Sequence, residues 1–159
     1  MAQTILIPID FRVASLNTLK LALESYGDTR VKVMLMYSEM LDDSITELLF
    51  YDSDKIIKSL TSNEFKEALE VIKNRFEATL WGDVNILLFH GNTSAAFSHF
   101  AKGNGIDRVF IPKSYQLLPA KKAFDPTALI RRSDIPFIEV GWKIDRSTTE
   151  YEQLITLFT

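Results

Sequence analysis

The chain of 159 residues contains no cysteine. That absence removes disulfides, thiol nucleophiles and thiolate metal sites from consideration, and it fits a cytoplasmic location. Long apolar runs are also lacking: no stretch approaches the roughly 18 apolar residues of a membrane-spanning helix, so no membrane partner is expected. There is no basic excess. Lys and Arg number 18 against 21 Asp and Glu, a net charge of −3, which argues against nucleic acid as a partner. The opening MAQTILIPID shows neither a basic segment nor a small-residue cleavage site, so no secretory signal is expected. Glycine is sparse, and none lies between Pro112 and Pro126, which reads PKSYQLLPAKKAFDP. Backbone approaches a phosphate closely only where side chains are absent, so this segment makes a poor phosphate cradle.

What remains is ordinary globular material, 47% apolar and 25% charged, at a length that suits one domain with a full core. Short apolar runs at residues 4–10 (TILIPID), 31–37 (VKVMLMY), 84–89 (VNILLF), 108–112 (RVFIP) and 136–140 (PFIEV) read as buried parallel strands. Helical spacing fills the intervals. Leu16, Leu19, Ala22, Leu23 and Tyr26 precede the stop Gly27; Phe65, Ala68, Leu69, Ile72, Phe76 and Leu80 precede Gly82. Capping-box spacing at Ser44/Glu47 and Thr61/Glu64 marks two helix starts. Thr93 or Asn92 caps a helix carrying Ala96, Phe97, Phe100 and Ala101, closed by Gly103 and Gly105. Asp125 caps another through Arg132, with Pro126 at its first position. Thr149 and Glu152 suggest a terminal helix with Tyr151, Leu154, Ile155 and Phe158 on one face.

Alternating strands and helices predict an α/β fold: a single-domain, open five-stranded parallel sheet with helices on both faces. In such sheets ligands gather beyond the carboxyl ends of the strands, where strand order reverses. The candidate site then collects Asp10 and Phe11 after the first strand, Tyr37 and Ser38 after the second, His90 and Gly91 after the third, and Lys113 with Ser114 after the fourth. From Lys102 to Arg132, seven basic residues face two acidic ones. They read either as a solvated face near a helix C-terminus or as an anion site, and charge runs are more often solvated faces.

Three segments together resemble the universal stress protein family over residues 4–140: ILIPID with its terminal Asp10, HGNTSAAFSHFAKGNGIDRVFIP, and FDPTALIRRSDIPFIEV. Their order and spacing carry the resemblance, since no one of them is decisive alone. The resemblance implies a Rossmann-like, adenine nucleotide alpha hydrolase-like domain over residues 1–141. Residues 142–159 form a C-terminal extension, expected to be helical. It implies homodimerisation through the last strand, Pro136–Val140, with the extension able to add to the contact. It also divides the family into ATP binders and non-binders. Binders carry Gly-x-x-Gly, nine residues, then Gly-Ser or Gly-Thr after strand four. Those positions fall here on Pro112, Tyr115, Asp125 and Pro126, so every glycine is replaced; a gap of two residues moves the last pair to Ala123 and Phe124. Two prolines donate no N–H, Tyr115 adds bulk, and Asp125 sets a carboxylate where phosphate would use helix N–H groups.

By the same resemblance Asp10 corresponds to the aspartate near the adenosine of binders. Tyr37 stands where a small aliphatic residue lines the adenine pocket. Asp10 also reads as a plain strand-end or cap residue, and Tyr37 as a pocket filler. The degenerate nucleotide site thus comprises Asp10, Phe11, Tyr37, Gly91, Lys113, Ser114 and Asp125, with no cofactor expected. The alternative is a nucleotide or small-anion sensor in which Lys113, Ser114, Lys121 and Lys122 replace the backbone amides. Other chemistry is thin. His90 and His99, the two histidines, have no acidic partner at metal-ligand spacing, so no metal site is expected and His90 reads as a turn residue. No Gly-x-Ser-x-Gly elbow or Walker A pattern is present. Asp42 and Asp43 are adjacent, which points their carboxylates apart on a helix. No catalytic residue is assigned. The expected function is a stress-response domain acting by homodimerisation and protein association without ATP.

Overall fold

The computed structural model describes residues 2–40, 52–118, 122–142, 149–150 and 152–153. The expectations placed on Asp42, Asp43, Ser44, Glu47, Lys121, Tyr151, Leu154, Ile155 and Phe158 lie outside them.

Five strands form one parallel sheet: β1 (Gln3–Pro8), β2 (Val31–Ser38), β3 (Asn85–Phe89), β4 (Arg108–Pro112) and β5 (Phe137–Val140). Their spatial order is β3-β2-β1-β4-β5, with Gln3 opposite Val31, Met34 opposite Asn85, Ile5 opposite Arg108 and Val109 opposite Phe137. Alternate residues of the central strands point to opposite faces, and both faces are apolar because both are covered. On one face Ile5, Ile7, Val33, Leu35 and Phe110 pack with Leu19 and Leu23 of α1 (Leu16–Tyr26) and with Phe65 and Ile72 of a later helix. On the other, Leu6, Met36, Val109 and Ile111 meet Phe97, Ala101 and Ile130.

The helices follow their local chemistry. α1 ends at Gly27, which takes φ 53°, a conformation that glycine adopts without a Cβ penalty. After α2 (Ser53–Leu60), α3 (Asn63–Arg75) starts one residue later than the capping-box spacing suggests. Ser62 accepts from the Phe65 amide at 3.1 Å, while the Thr61 hydroxyl turns back to the Ile57 carbonyl at 2.6 Å and closes α2. Thr61 is spent on the preceding helix, so Ser62 caps the next. α3 also stops short of Gly82. The Thr79 and Leu80 amides fold back to the Phe76 carbonyl, and Leu80 bridges Val31 at the start of β2. The apolar Leu80 therefore extends the sheet rather than the helical stripe. α4 (Ser94–Gly103) is capped by Thr93, whose hydroxyl accepts from the Ala96 amide at 3.0 Å. α5 (Thr127–Arg131) is a short piece lying between β4 and β5. No helix among the described residues is long and apolar enough to cross a membrane.

Gly91 shows how tight the β3–α4 turn is. A Cβ there would lie 2.7 Å from both the Ala96 Cβ and the Phe89 Cζ. The Phe89 ring cannot yield easily, because Phe97, Phe100 and Phe124 enclose it at centroid distances of 5.8, 5.1 and 6.4 Å. Two substitutions test this aromatic layer by urea denaturation. Gly91→Ala is expected to destabilise by about 1–3 kcal/mol through overpacking. Phe97→Ala, at a fully buried ring, should cost about 3–5 kcal/mol through the cavity it leaves.

Candidate functional site

The strand order reverses between β1 and β4, and the carboxyl ends of these strands frame the candidate cleft. β1 pairs with β2 as far as Pro8, and the Ile9 amide still reaches the Met36 carbonyl at 2.9 Å. The chain then turns sharply. Phe11 is the one non-glycine residue at positive φ among the described residues, at 61°. This conformation swings its ring inward, where it meets Tyr37 at 4.8 Å and Phe65 at 5.3 Å. Phe11 is 7% exposed and Tyr37 3%. Burial, then the nearby Glu39 and Asp10 carboxylates, holds the Tyr37 phenol above its usual value of 10.0, so it stays neutral at physiological pH. Three rings thus occupy the space beside the end of β2.

Asp10 is committed to its own chain. Its Oδ1 accepts from the Arg12 amide at 2.9 Å. Its Oδ2 accepts from the Tyr115 hydroxyl at 2.6 Å and from the Leu118 amide at 3.0 Å. The long segment after β4 therefore folds across the end of β1 and is tied there. It continues to the end of β2, where Ala123 forms an antiparallel bridge with Glu39. The Met40 amide donates to the Lys122 carbonyl at 2.8 Å, and the Phe124 amide to the Ser38 carbonyl at 3.1 Å. Asp125 secures both limbs of this crossing: its Oδ2 accepts from the Leu117 amide at 3.1 Å and its Oδ1 from the Thr127 amide at 2.9 Å. Asp125 does serve the start of α5, with Pro126 rather than Asp125 at the formal cap position.

The sequence-selected residues separate into three places. Asp10, Phe11 and Tyr37 come together, with the two rings buried against each other. Gly91 lies in the β3–α4 turn, under the steric demand of Phe89 and Ala96. Lys113, Ser114 and Asp125 line a polar depression of about 310 Å³ with Gln116, Thr127 and Arg131, beyond the end of β4. The Lys113 amide is used by the Val140 carbonyl at 2.9 Å, while its side chain faces solvent. Arg131 lies 3.4 Å from Glu139 on β5. His90 has a partner that spacing does not reveal: its Nε2 is 3.2 Å from Oε1 of Glu39, a residue 51 positions away. No three His, Asp or Glu side chains converge as metal ligands among the described residues.

Contacts from the C-terminal extension had no signal in the pattern of residues. Trp142 stacks on Tyr115 with centroids 4.5 Å apart, and its indole N–H donates to the Thr18 hydroxyl at 2.9 Å. Glu150 Oε2 accepts from the Val13 amide at 2.7 Å. Thr149 caps the segment as its spacing suggests, accepting from the Glu152 amide at 3.1 Å.

Neither protein-family models nor curated proteins match this chain. Solved structures do. The hypothetical protein MJ0577 is 19% identical with a TM-score of 0.54, covering 91% of this chain and 99% of its own. The universal stress protein UspA from Lactobacillus plantarum is 13% identical with a TM-score of 0.52, over 87% of this chain and 97% of its own. A universal stress protein from Archaeoglobus fulgidus is 16% identical with a TM-score of 0.51, over 87% and 93% respectively. With TM-scores of 0.51 to 0.54 over 93 to 99% of these chains, the fold of this chain is the universal stress protein fold.

Proposed function

We propose that this chain is a cytoplasmic stress-response domain of the universal stress protein type that works by homodimerisation and protein association, without binding ATP. One observation carries the reading. The Asp10 carboxylate is fully engaged by the Tyr115 hydroxyl and the Arg12 and Leu118 amides, and Phe11, Tyr37 and Phe65 fill the adjoining space. In the family manner of binding, Asp10 would face the ribose and Tyr37 the adenine. Here a nucleoside would have to displace a charge-assisted hydrogen bond and a buried aromatic cluster before making any contact. Hydrogen bonds to charged groups are worth about 1.5–3 kcal/mol each, so the barrier to entry is substantial. In the glycine-free segment after β4, the backbone amides at Leu117, Leu118 and Phe124 already have partners within the chain.

The dimer reading rests on β5. It is one of the sheet's two edge strands, paired with β4 alone among the described residues, and Ile138 on it is 37% exposed. An open strand edge with an apolar side chain invites pairing with a second copy. Trp142 follows directly and extends the surface.

A second reading is favoured by the polar depression at Lys113, Ser114, Gln116, Thr127 and Arg131. Lys113, Arg131 and several hydroxyl or amide groups suit a small anion, with lysine acting as a point charge, although the Asp125 carboxylate also lines the depression and Arg131 is paired with Glu139. Under this reading the chain senses an anion without using the adenosine cleft.

Thermal melting separates the readings, since a ligand that binds the folded state raises its melting temperature. Millimolar ATP, ADP or AMP is expected to leave Tm unchanged; a clear rise with any of them overturns the ATP-independent reading. A rise with inorganic phosphate that disappears in Lys113→Ala would favour the anion sensor. Sedimentation velocity at micromolar concentration should show a dimer, and a purely monomeric boundary would rule out the association proposed through β5.

A further inference from the structure

We propose that the amino-terminal edge of the sheet carries a separate binding site, for a small aromatic carboxylate, built by Trp81, Lys32 and Thr4. It lies at the opposite end of the strands from Asp10 and Tyr37, so it stands or falls independently of the readings above.

Strand register assembles the site. Thr4 of β1 lies opposite Lys32 of β2. Leu80 bridges Val31, and the Trp81 amide donates to the Val31 carbonyl at 2.9 Å, which sets Trp81 beside the first residues of β2. Successive strand residues alternate between faces, so Thr4 and Lys32 share the face on which Leu6 and Met36 pack with Phe97 and Ala101 of α4. The helical cover gives out towards the strand starts: Leu6 and Met36 are fully buried, whereas Thr4 is half-buried and Lys32 exposed. A concavity of about 280 Å³ remains there, lined by Ala2, Thr4, Lys32 and Trp81.

Three of these four side chains have binding capacity that the chain does not use. Trp81 is 53% exposed, while Trp142, the other tryptophan, commits its indole N–H to the Thr18 hydroxyl. Among the described residues, the Trp81 indole N–H, the Thr4 hydroxyl and the Lys32 ammonium have no hydrogen-bond or ion-pair partner. The Asp107 carboxylate beside Thr4 is already engaged, accepting from the Thr4 amide at 2.8 Å, and the Asp107 amide donates back to the Thr4 carbonyl at 2.8 Å.

This chemistry selects a ligand. Small-molecule sites are mostly apolar concavities in which a few polar groups fix orientation. An exposed indole face takes a flat ring by offset stacking. Lysine binds anions as a point charge, and the hydroxyl and the indole N–H add two neutral donors. All three polar groups of the lining can donate and none is anionic, so the polar end of the ligand is a carboxylate rather than an amine. Size limits the rest. A cavity of about 150 Å³ accepts benzene, so the space here suits one ring with its carboxylate.

The two tryptophans provide an internal control. Proton–nitrogen correlation spectra of the full chain distinguish their indole N–H groups. Titrated benzoate is expected to shift the Trp81 indole and the Lys32 amide along a saturable, millimolar curve, with the Trp142 indole unmoved. Benzyl alcohol has the ring without the charge, and acetate the charge without the ring. Each should bind at least about tenfold more weakly, as should benzoate to Lys32→Ala. Lys32 is exposed, so that variant should keep the native spectrum away from the site. An unsaturating response, equal shifts at Trp142, equal binding of either analogue, or unchanged affinity in Lys32→Ala each overturns the proposal. Shifts gathered instead at Lys113 and Ser114 assign the anion to the depression beyond β4 and overturn it as well.

Discussion

The hydrogen bonds converging on the Asp10 carboxylate organise everything at the carboxyl end of this sheet. A carboxylate at the end of β1 would ordinarily lie open to solvent or ligand. Here the Tyr115 hydroxyl and the Leu118 amide reach it from a segment more than 100 positions away in sequence. That tie holds Tyr115 and Leu118 over the end of β1, and Ala123 further along the chain pairs with Glu39 beyond β2. Tyr115 is central because its ring and its hydroxyl do different jobs. The hydroxyl satisfies the half-buried carboxylate, and the ring presents a flat face to Trp142. An aromatic with a polar tip suits such a half-apolar position.

Filling a cleft in this way has energetic logic. An empty apolar space beside β2 would forfeit packing contacts. Phe11, Tyr37 and Phe65 take that space and remove their apolar surface from water. The accompanying strain at Phe11 is offset by this burial and by the flanking contacts. The polar depression near Arg131 is lined by Tyr115 and so adjoins the Asp10 tie, though none of the three rings lines it.

Much of this architecture was legible before any coordinates. The apolar runs at 31–37 and 108–112 match strands almost to the residue, because a strand buried on both faces must be apolar throughout. Thr93 and Thr149 were readable as caps from spacing alone, since capping is a local hydrogen bond. The misread boundaries were also local in origin but tertiary in cause. Thr61 and Ser62 are both competent caps, and Thr61 was claimed by the helix before it. Leu80 fits a helical stripe in sequence, yet a bridge to Val31 takes it into the sheet.

The sequence by itself determined the α/β class, the sheet's strands, the absence of thiol chemistry and the unfitness of residues 112–126 as a glycine-rich phosphate loop. Each of these follows from short-range periodicity or from residue types that are present or missing. It also brought Asp10, Phe11 and Tyr37 to one end of the sheet, since strand termini follow from strand limits. Only the tertiary structure decided that the Phe11 and Tyr37 rings bury against each other there. It alone paired Glu39 with His90, turned the Phe11 ring inward, and set Trp142 and Glu150 against the β1–α1 turn. Those outcomes depend on partners 26 to 137 positions apart, whose meeting is fixed by how the layers pack and by no local pattern.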